Sequence, residues 1–88
     1  MQTERQRKIH QLKTWPPEYK DCISGIKTFD IRPHDRDFKI GDTLRLQCYT
    51  PDNGYTGEEQ DFQITYTQKG WGLPDTHIAL GIVALELS

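Results

Sequence analysis

Cysteine is scarce in this 88-residue sequence, which contains Cys22 and Cys48 and no pair spaced as C-x-x-C. A structural zinc site needs more ligands at closer spacing than these two thiols and three scattered histidines offer, so we expect no metal and no cofactor. No apolar run approaches the ~20 residues that span a bilayer, and no apolar signal segment opens the chain. We therefore expect a cytoplasmic protein with two reduced thiols and no membrane partner.

An excess of charge of one sign is also lacking, because 11 Lys and Arg stand against 13 Asp and Glu. The distribution is uneven: residues 1–40 carry nine cations and six acids, and residues 41–88 carry two and seven. A polyanion would therefore meet a local basic face or none. The apolar content, 34%, is low, but nine aromatic residues (two Trp, four Tyr and three Phe) compensate in part. The length predicts one domain over residues 1–88, with residues 1–7 as a polar tail.

One helix is predicted near the N-terminus. A break at Trp15-Pro16-Pro17 is followed by apolar side chains at helical spacing, and Gly25 stands where a left-handed cap belongs. This pattern predicts a helix of about two turns over residues 17–24. The remaining apolar segments favour strands, which we place at residues 8–14, 28–33, 43–50, 62–68 and 77–87.

The strand patterns predict a small barrel. Residues 43–50 alternate cleanly, with Leu44, Leu46 and Cys48 inward, and Asp52-Asn53-Gly54 is a strong reversal signal. The acids at 58, 59 and 61 are predicted to lie in a solvated hairpin loop. Residues 77–87 are apolar on both faces, which is typical of a central, doubly covered strand. Five or six short strands with one helix indicate a mainly β (α+β) fold, a closed or nearly closed β-barrel.

Residues 25–32 read GIKTFDIR and resemble the signature of the ASCH domain, G-x-K-x-x-E-x-R. The later segments RPHDRDFKIGDTLRLQCY, YTGEE, ITY and GWGL, with HQLK at residues 10–13, resemble one prokaryotic and phage-associated subgroup. The resemblance covers about residues 9–87 and implies a PUA-like β-barrel that binds RNA. Two positions depart from the pattern: Asp30 stands where the family usually has Glu, and His34 where the subgroup usually has Asn.

The resemblance and the charge pattern together predict a basic cleft at the helix–strand junction. Lysine offers a point charge and arginine a fork for phosphate, so RNA or a nucleotide-like anion is the expected partner. An internal salt bridge is the alternative, although exposed pairs contribute only ~0–1 kcal/mol. On this basis Ala at 27 or 32 lowers affinity with little loss of melting temperature. The residues expected to line the cleft are His10, Lys13, Lys27, Asp30 and Arg32, with Arg36 at its margin.

Aromatic residues outside the strands have two interpretations. Trp71 lies between two glycines, as an exposed platform for base stacking requires. The alternative is a ring folded over the open end of the barrel, and this second interpretation is favoured. Trp15 and Tyr55 are predicted to pack against the core.

Two other functions stay open. Some ASCH proteins are similar to an amidohydrolase that removes the acetyl group from N4-acetylcytidine with a motif Lys, a Thr three residues later and a distant Glu. Only the Lys transfers to this chain, as Lys27, because the Thr position is Asp30. The chain is alternatively an accessory protein of phage type that binds a host protein through its acidic second half.

Overall fold

The computed structural model describes residues 7–85, which form five strands and one helix. Residues 1–6 of the predicted tail and residues 86–87 of the predicted last strand lie outside the described part. The strands form one curled sheet, a half-barrel, which confirms the predicted mainly β fold. The elements are β1 (Ile9–Thr14), α1 (Pro16–Ser24), β2 (Phe29–Pro33), β3 (Thr43–Thr50), β4 (Gly54–Gln68) and β5 (His77–Ala84).

The sheet has the strand order β1-β3-β4-β5-β2, so the first two strands of the chain form its two edges. β1 runs parallel to β3, and the other neighbours are antiparallel. The curl of the sheet brings the edges together, and the Arg32 guanidinium of β2 donates to the Lys13 carbonyl of β1 at 2.8 Å. We call this meeting of β1 and β2 the seam.

Helix α1 has the predicted boundary signals. It begins at Pro16, one residue earlier than predicted, where a missing N–H costs no hydrogen bond. It ends at Gly25, whose φ of 86° lies in the left-handed region and whose N–H donates to the Cys22 carbonyl at 3.2 Å. The helix packs on β3 through Tyr19 and Cys22, both of which are buried. Burial raises the pKa of the Cys22 thiol.

The core lies inside the curl. The predicted inward positions of β3 are confirmed, since Leu44 and Leu46 are fully buried and Cys48 nearly so. Alternate residues of β4 and β5 complete this layer, and Phe38 covers it from the loop after β2. The further core side chains are Leu12, Phe62, Ile64, Ile78, Leu80 and Ile82.

Strand β2 presents its polar face to the interior. The predicted alternation is correct, but Phe29 and Ile31 are about half exposed, whereas Asp30 is 5% exposed. Arg32 lies on the same inward side as Asp30. The sheet edge therefore turns a charged face toward the seam and leaves an apolar face outside.

Two strand predictions need correction. β5 has a partner strand on both sides, but β4 is the middle strand, and the outward Val83 of β5 is 49% exposed. Double coverage of β5 is therefore wrong. β4 extends over 15 residues, so the acids at 58, 59 and 61 lie within a strand and not in a hairpin loop. On the neighbouring strand β3, Arg45 donates a hydrogen bond to Asp61 and Gln47 donates one to Glu59.

The Arg45–Asp61 pair predicts a pH effect. The Arg45 hydrogen bonds, 2.8 and 3.0 Å long, hold the pKa of the Asp61 carboxyl below its usual value. Stabilisation by a lowered pKa is present above the unfolded value, about 3.9, and is lost as pH falls through the folded value. Asp61→Asn should therefore cost less than about 1 kcal/mol at pH 7 and nothing near pH 2.

Urea unfolding at pH 7, 5, 3 and 2 measures this difference. The matched control is Asp52→Asn in the exposed turn before β4, which should show no such trend. A constant penalty for Asp61→Asn across the whole range would contradict the assignment of the stabilising contact to the carboxylate.

No helix within residues 7–85 is long and apolar enough to cross a membrane. The same residues contain no cluster of three His, Cys, Asp or Glu side chains that might hold a metal ion.

Candidate functional site

Two adjacent hollows open along the seam, and they share Lys13 and Arg32. The helix hollow, about 250 Å³, lies beside the start of α1 and also has Trp15, Glu18, Lys27 and Asp30 in its wall. The loop hollow, about 330 Å³, lies beside the segment after β2 and has Asp35, Arg36, Phe38 and Tyr55 in its wall. Together they form the seam groove, with each hollow near the lower size limit of small-ligand pockets.

A charge cluster forms the floor of the helix hollow. The buried Asp30 carboxylate accepts from Arg32 Nε at 2.6 Å, and its other oxygen lies 3.8 Å from the Lys27 ammonium. Both cations therefore face one hollow and share a single anion. The cluster keeps a net positive charge, and each cationic side chain stays about one-fifth exposed.

Arg32 serves the fold as well as the groove. Beyond Asp30, it donates to the Lys13 carbonyl at 2.8 Å and to Thr14 Oγ1 at 3.0 Å. Three of the five N–H groups of its guanidinium are thus occupied within the described chain, which leaves two for a ligand. Because these bonds join the two edge strands, we now expect Ala at this position to lower the melting temperature as well as the affinity.

Lys13 stands at the boundary between the hollows. Its backbone is held by Arg32, but its side chain is exposed and its ammonium lies 4.5 Å from the centre of the Tyr49 ring. Tyr49 in turn meets Tyr55 edge to face, with ring centres 5.2 Å apart. A cation next to a pair of aromatic rings suits a ligand that combines negative charge with a flat ring.

The groove has a small positive surplus. Its cations are Lys13, Lys27, Arg32 and Arg36, and three carboxylates oppose them, from Glu18, Asp30 and Asp35. Arg36 is paired with its neighbour Asp35 at 3.3 Å, and its guanidinium lies 5.9 Å from the centre of the Phe38 ring. This balance favours a ligand that places few phosphates in the groove.

The family model for DUF3850, a domain of unknown function, matches residues 9–82. The chain belongs to this family. The match includes both strands of the seam and all of the cations named above. No curated protein matches the chain.

The structure brings most of the predicted cleft residues together, but not all of them. Lys13, Lys27, Asp30, Arg32 and Arg36 line the groove. His10 does not line it, because its side chain is 6% exposed and points into the core, where Nε2 donates to Asp42 Oδ2 at 2.9 Å. The His10 ring also packs against Phe38, with ring centres 4.8 Å apart, so it supports the loop hollow from behind.

Trp71 lies apart from the groove. It occupies a turn with a φ of 56°, is 90% exposed and lines neither hollow. The favoured prediction, that the ring covers the open end of the barrel, is therefore wrong.

Two aromatic side chains are more exposed than the sequence predicts. Trp15 and Tyr55 were predicted to pack in the core, but they are 58% and 55% exposed and border opposite hollows. The Trp-Pro-Pro break contained a signal for Trp15. Trp15 is the N-cap of α1 and so stands before the helical turns whose Tyr19 and Cys22 are buried. Tyr55 has no comparable local signal; it lies opposite Tyr49 of β3 and borders the loop hollow.

Proposed function

We propose that this domain binds RNA or a nucleotide-like anion in the seam groove, as an ASCH-type member of the PUA-like superfamily and in the cytoplasm. The observation that carries the proposal is the shared position of Lys13 and Arg32 between two hollows, each bordered by an exposed aromatic ring. Lysine and arginine suit phosphate, and an aromatic ring suits a base. Glu18 and Asp35 offer carboxylate acceptors for the exocyclic amino groups of a base.

The geometry gives less support to hydrolysis by Lys27. A nucleophilic lysine works as a free, desolvated amine, often next to another cation. The Lys27 ammonium instead lies 3.8 Å from the Asp30 carboxylate, which itself is bound to Arg32. Lys27 therefore has the surroundings of a charge that attracts an anion.

A protein partner on the acidic half is also less well supported. The strand pairing of β3 with β4 engages Asp61 with Arg45 and Glu59 with Gln47. These contacts reduce the free negative charge that a basic partner would meet. The seam groove, by contrast, brings four cations and two exposed aromatic rings together.

The binding proposal predicts the effect of two lysine variants. Lys13→Ala and Lys27→Ala should each weaken binding of a short single-stranded RNA by about three- to tenfold at low salt. Each should also reduce the slope of log affinity against log salt by about one, because one phosphate contact is lost. Fluorescence anisotropy of a labelled eight-nucleotide RNA, measured at several salt concentrations, gives both quantities.

Lys69→Ala is the matched control, since Lys69 is exposed and lines neither hollow. It should bind like the wild type. The melting temperatures of Lys13→Ala and Lys69→Ala should agree with that of the wild type within a few degrees. Equal affinity of wild type, Lys13→Ala and Lys27→Ala at low salt would reject the proposal.

A further inference from the structure

The outer face of β2, β5 and the end of β4 carries a second feature that the groove does not use. Phe29 of β2 and Tyr66 of β4 both lie opposite Gly81 of β5, one on each side. Their side chains are 47% and 59% exposed. Because neighbouring strands lie 4.7–4.9 Å apart, the two rings rise from backbones about 10 Å apart, and the residue that lies between them, Gly81, has no side chain.

Gly81 lies in the floor between these rings, together with the hydroxyl of Thr65. A Cβ atom added at Gly81 would lie 3.1 Å from Thr65 Oγ1 and 3.2 Å from Tyr66 Cβ, so a side chain there would force these neighbours to move and would raise the floor. One explanation is that the rings merely shield a glycine in a sheet. Rings folded down over Gly81 would be largely buried, whereas Phe29 and Tyr66 remain about half exposed, so a ligand can reach them.

The outer face around this slot carries no negative charge that would repel an anionic ligand. Outward positions of β2, β5 and residues 63–68 of β4 carry no Asp or Glu; apart from Phe29 and Tyr66 they are neutral or amide side chains, with His77 at one end. By contrast, the outer face shared by β3 and the first part of β4 carries Glu59 and Asp61. A nucleic acid strand therefore meets no acidic side chain on the first face, whereas on the second it would meet Glu59 and Asp61, which Arg45 neutralises only in part.

Lys27 connects the slot to the seam groove. Its ammonium belongs to the helix hollow and lies 5.3 Å from the centre of the Phe29 ring. A phosphate bound by Lys27 would thus stand at the edge of the outer face. The next base along the strand would then lie within reach of the slot.

Building on the proposed function, we propose that Phe29 and Tyr66, with Gly81 between them, form a base-stacking site for single-stranded RNA that leaves the seam groove past Lys27. The site would bind a further nucleotide of the strand outside the groove. It has no need of sequence-specific hydrogen bonds, since every base has a face that stacks. A second copy of the chain is the competing occupant of this apolar face, and the following test distinguishes it.

The test compares Phe29→Leu, Tyr66→Leu and Tyr66→Phe with wild type. Leucine keeps apolar area but removes the flat ring, whereas Tyr66→Phe keeps the ring and serves as the matched control. Two probes are used: an unstructured eight-nucleotide RNA of mixed A and C, and 5′-AMP, which the seam groove accommodates alone. Each leucine variant should weaken RNA binding by about five- to hundredfold, and binding of 5′-AMP should not change.

The outcomes separate this inference from the proposed function. If both leucine variants bind the RNA within twofold of wild type while Lys13→Ala still weakens binding, the groove stands and the stacking site is wrong. If wild type binds neither probe, both proposals fail. Sedimentation velocity tests whether a second copy of the chain occupies this face. A wild-type dimer that Phe29→Ala converts to a monomer would assign the face to self-association and overturn the stacking site.

Discussion

Arg32→Ala should lower the free energy of unfolding by about 2–3 kcal/mol and weaken RNA binding at the same time. The side chain joins the two edge strands through Lys13 and Thr14. Its loss also leaves the Asp30 carboxylate, 5% exposed, with only the Lys27 ammonium 3.8 Å away. Removing one partner from a buried pair costs several kcal/mol, and the partial exposure of Arg32 reduces that figure. Urea unfolding and hydrogen exchange of β1 measure the loss.

Arg36→Ala is the matched control for stability. Arg36 lines the same groove, but its pairing with Asp35 is exposed, so its loss should change the unfolding free energy by less than about 0.5 kcal/mol. Asp30→Asn in the Arg32→Ala background should recover part of the stability, because it removes the uncompensated buried charge. If Arg32→Ala unfolds like Arg36→Ala, the guanidinium does not hold the seam.

The local signals of the sequence predicted the elements that short-range chemistry determines. The Pro16 start and Gly25 end of α1 follow from helix capping, and the inward Leu44 and Leu46 follow from strict alternation in β3. The reversal before β4 follows from Asn53-Gly54, where Gly54 adopts a φ of 76°. These features depend on neighbours within a few residues, so the sequence pattern contains them.

The features that the pattern missed depend on distant partners. Alternation in β2 cannot tell which face is buried, and apolar content wrongly suggests Phe29 and Ile31. Here the curl of the sheet buries Asp30, because Arg32 and Lys27 compensate its charge. The acids of β4 depend likewise on a distant partner, since Arg45 of β3 pairs with Asp61, which loop composition alone would place in solvent.

In the candidate site, too, the residues that local neighbours place were predicted and those that distant partners place were not. The motif spacing was enough to bring Lys27, Asp30 and Arg32 together, because all three lie within six residues. Including Lys13 required the edge strands to meet, which no local pattern predicts. The error on His10 has the same origin, since its partner Asp42 lies 32 residues away.

Asp42→Ala should have the largest effect on stability, a loss of about 3 kcal/mol in the free energy of unfolding and more than about 10 °C in melting temperature. Its fully buried carboxylate accepts from His10 Nε2 at 2.9 Å and from the backbone N–H groups of Lys8 and Lys39 at 3.3 and 3.2 Å. One side chain thus ties the start of β1 to the segment that carries Phe38. Without it, these buried donors lose an acceptor.

Asp42→Asn separates charge from shape. The amide keeps one acceptor oxygen in nearly the same volume, so it should lose less stability than Asp42→Ala, while Asp52→Ala in the exposed turn should stay within about 0.5 kcal/mol of wild type.

Since His10 packs on Phe38 behind the loop hollow, Asp42→Asn should also weaken 5′-AMP binding although residue 42 touches neither hollow. Thermal melts and anisotropy titrations measure both effects. An Asp42→Ala protein that melts within 3 °C of wild type would show that the buried carboxylate does not organise this end of the groove.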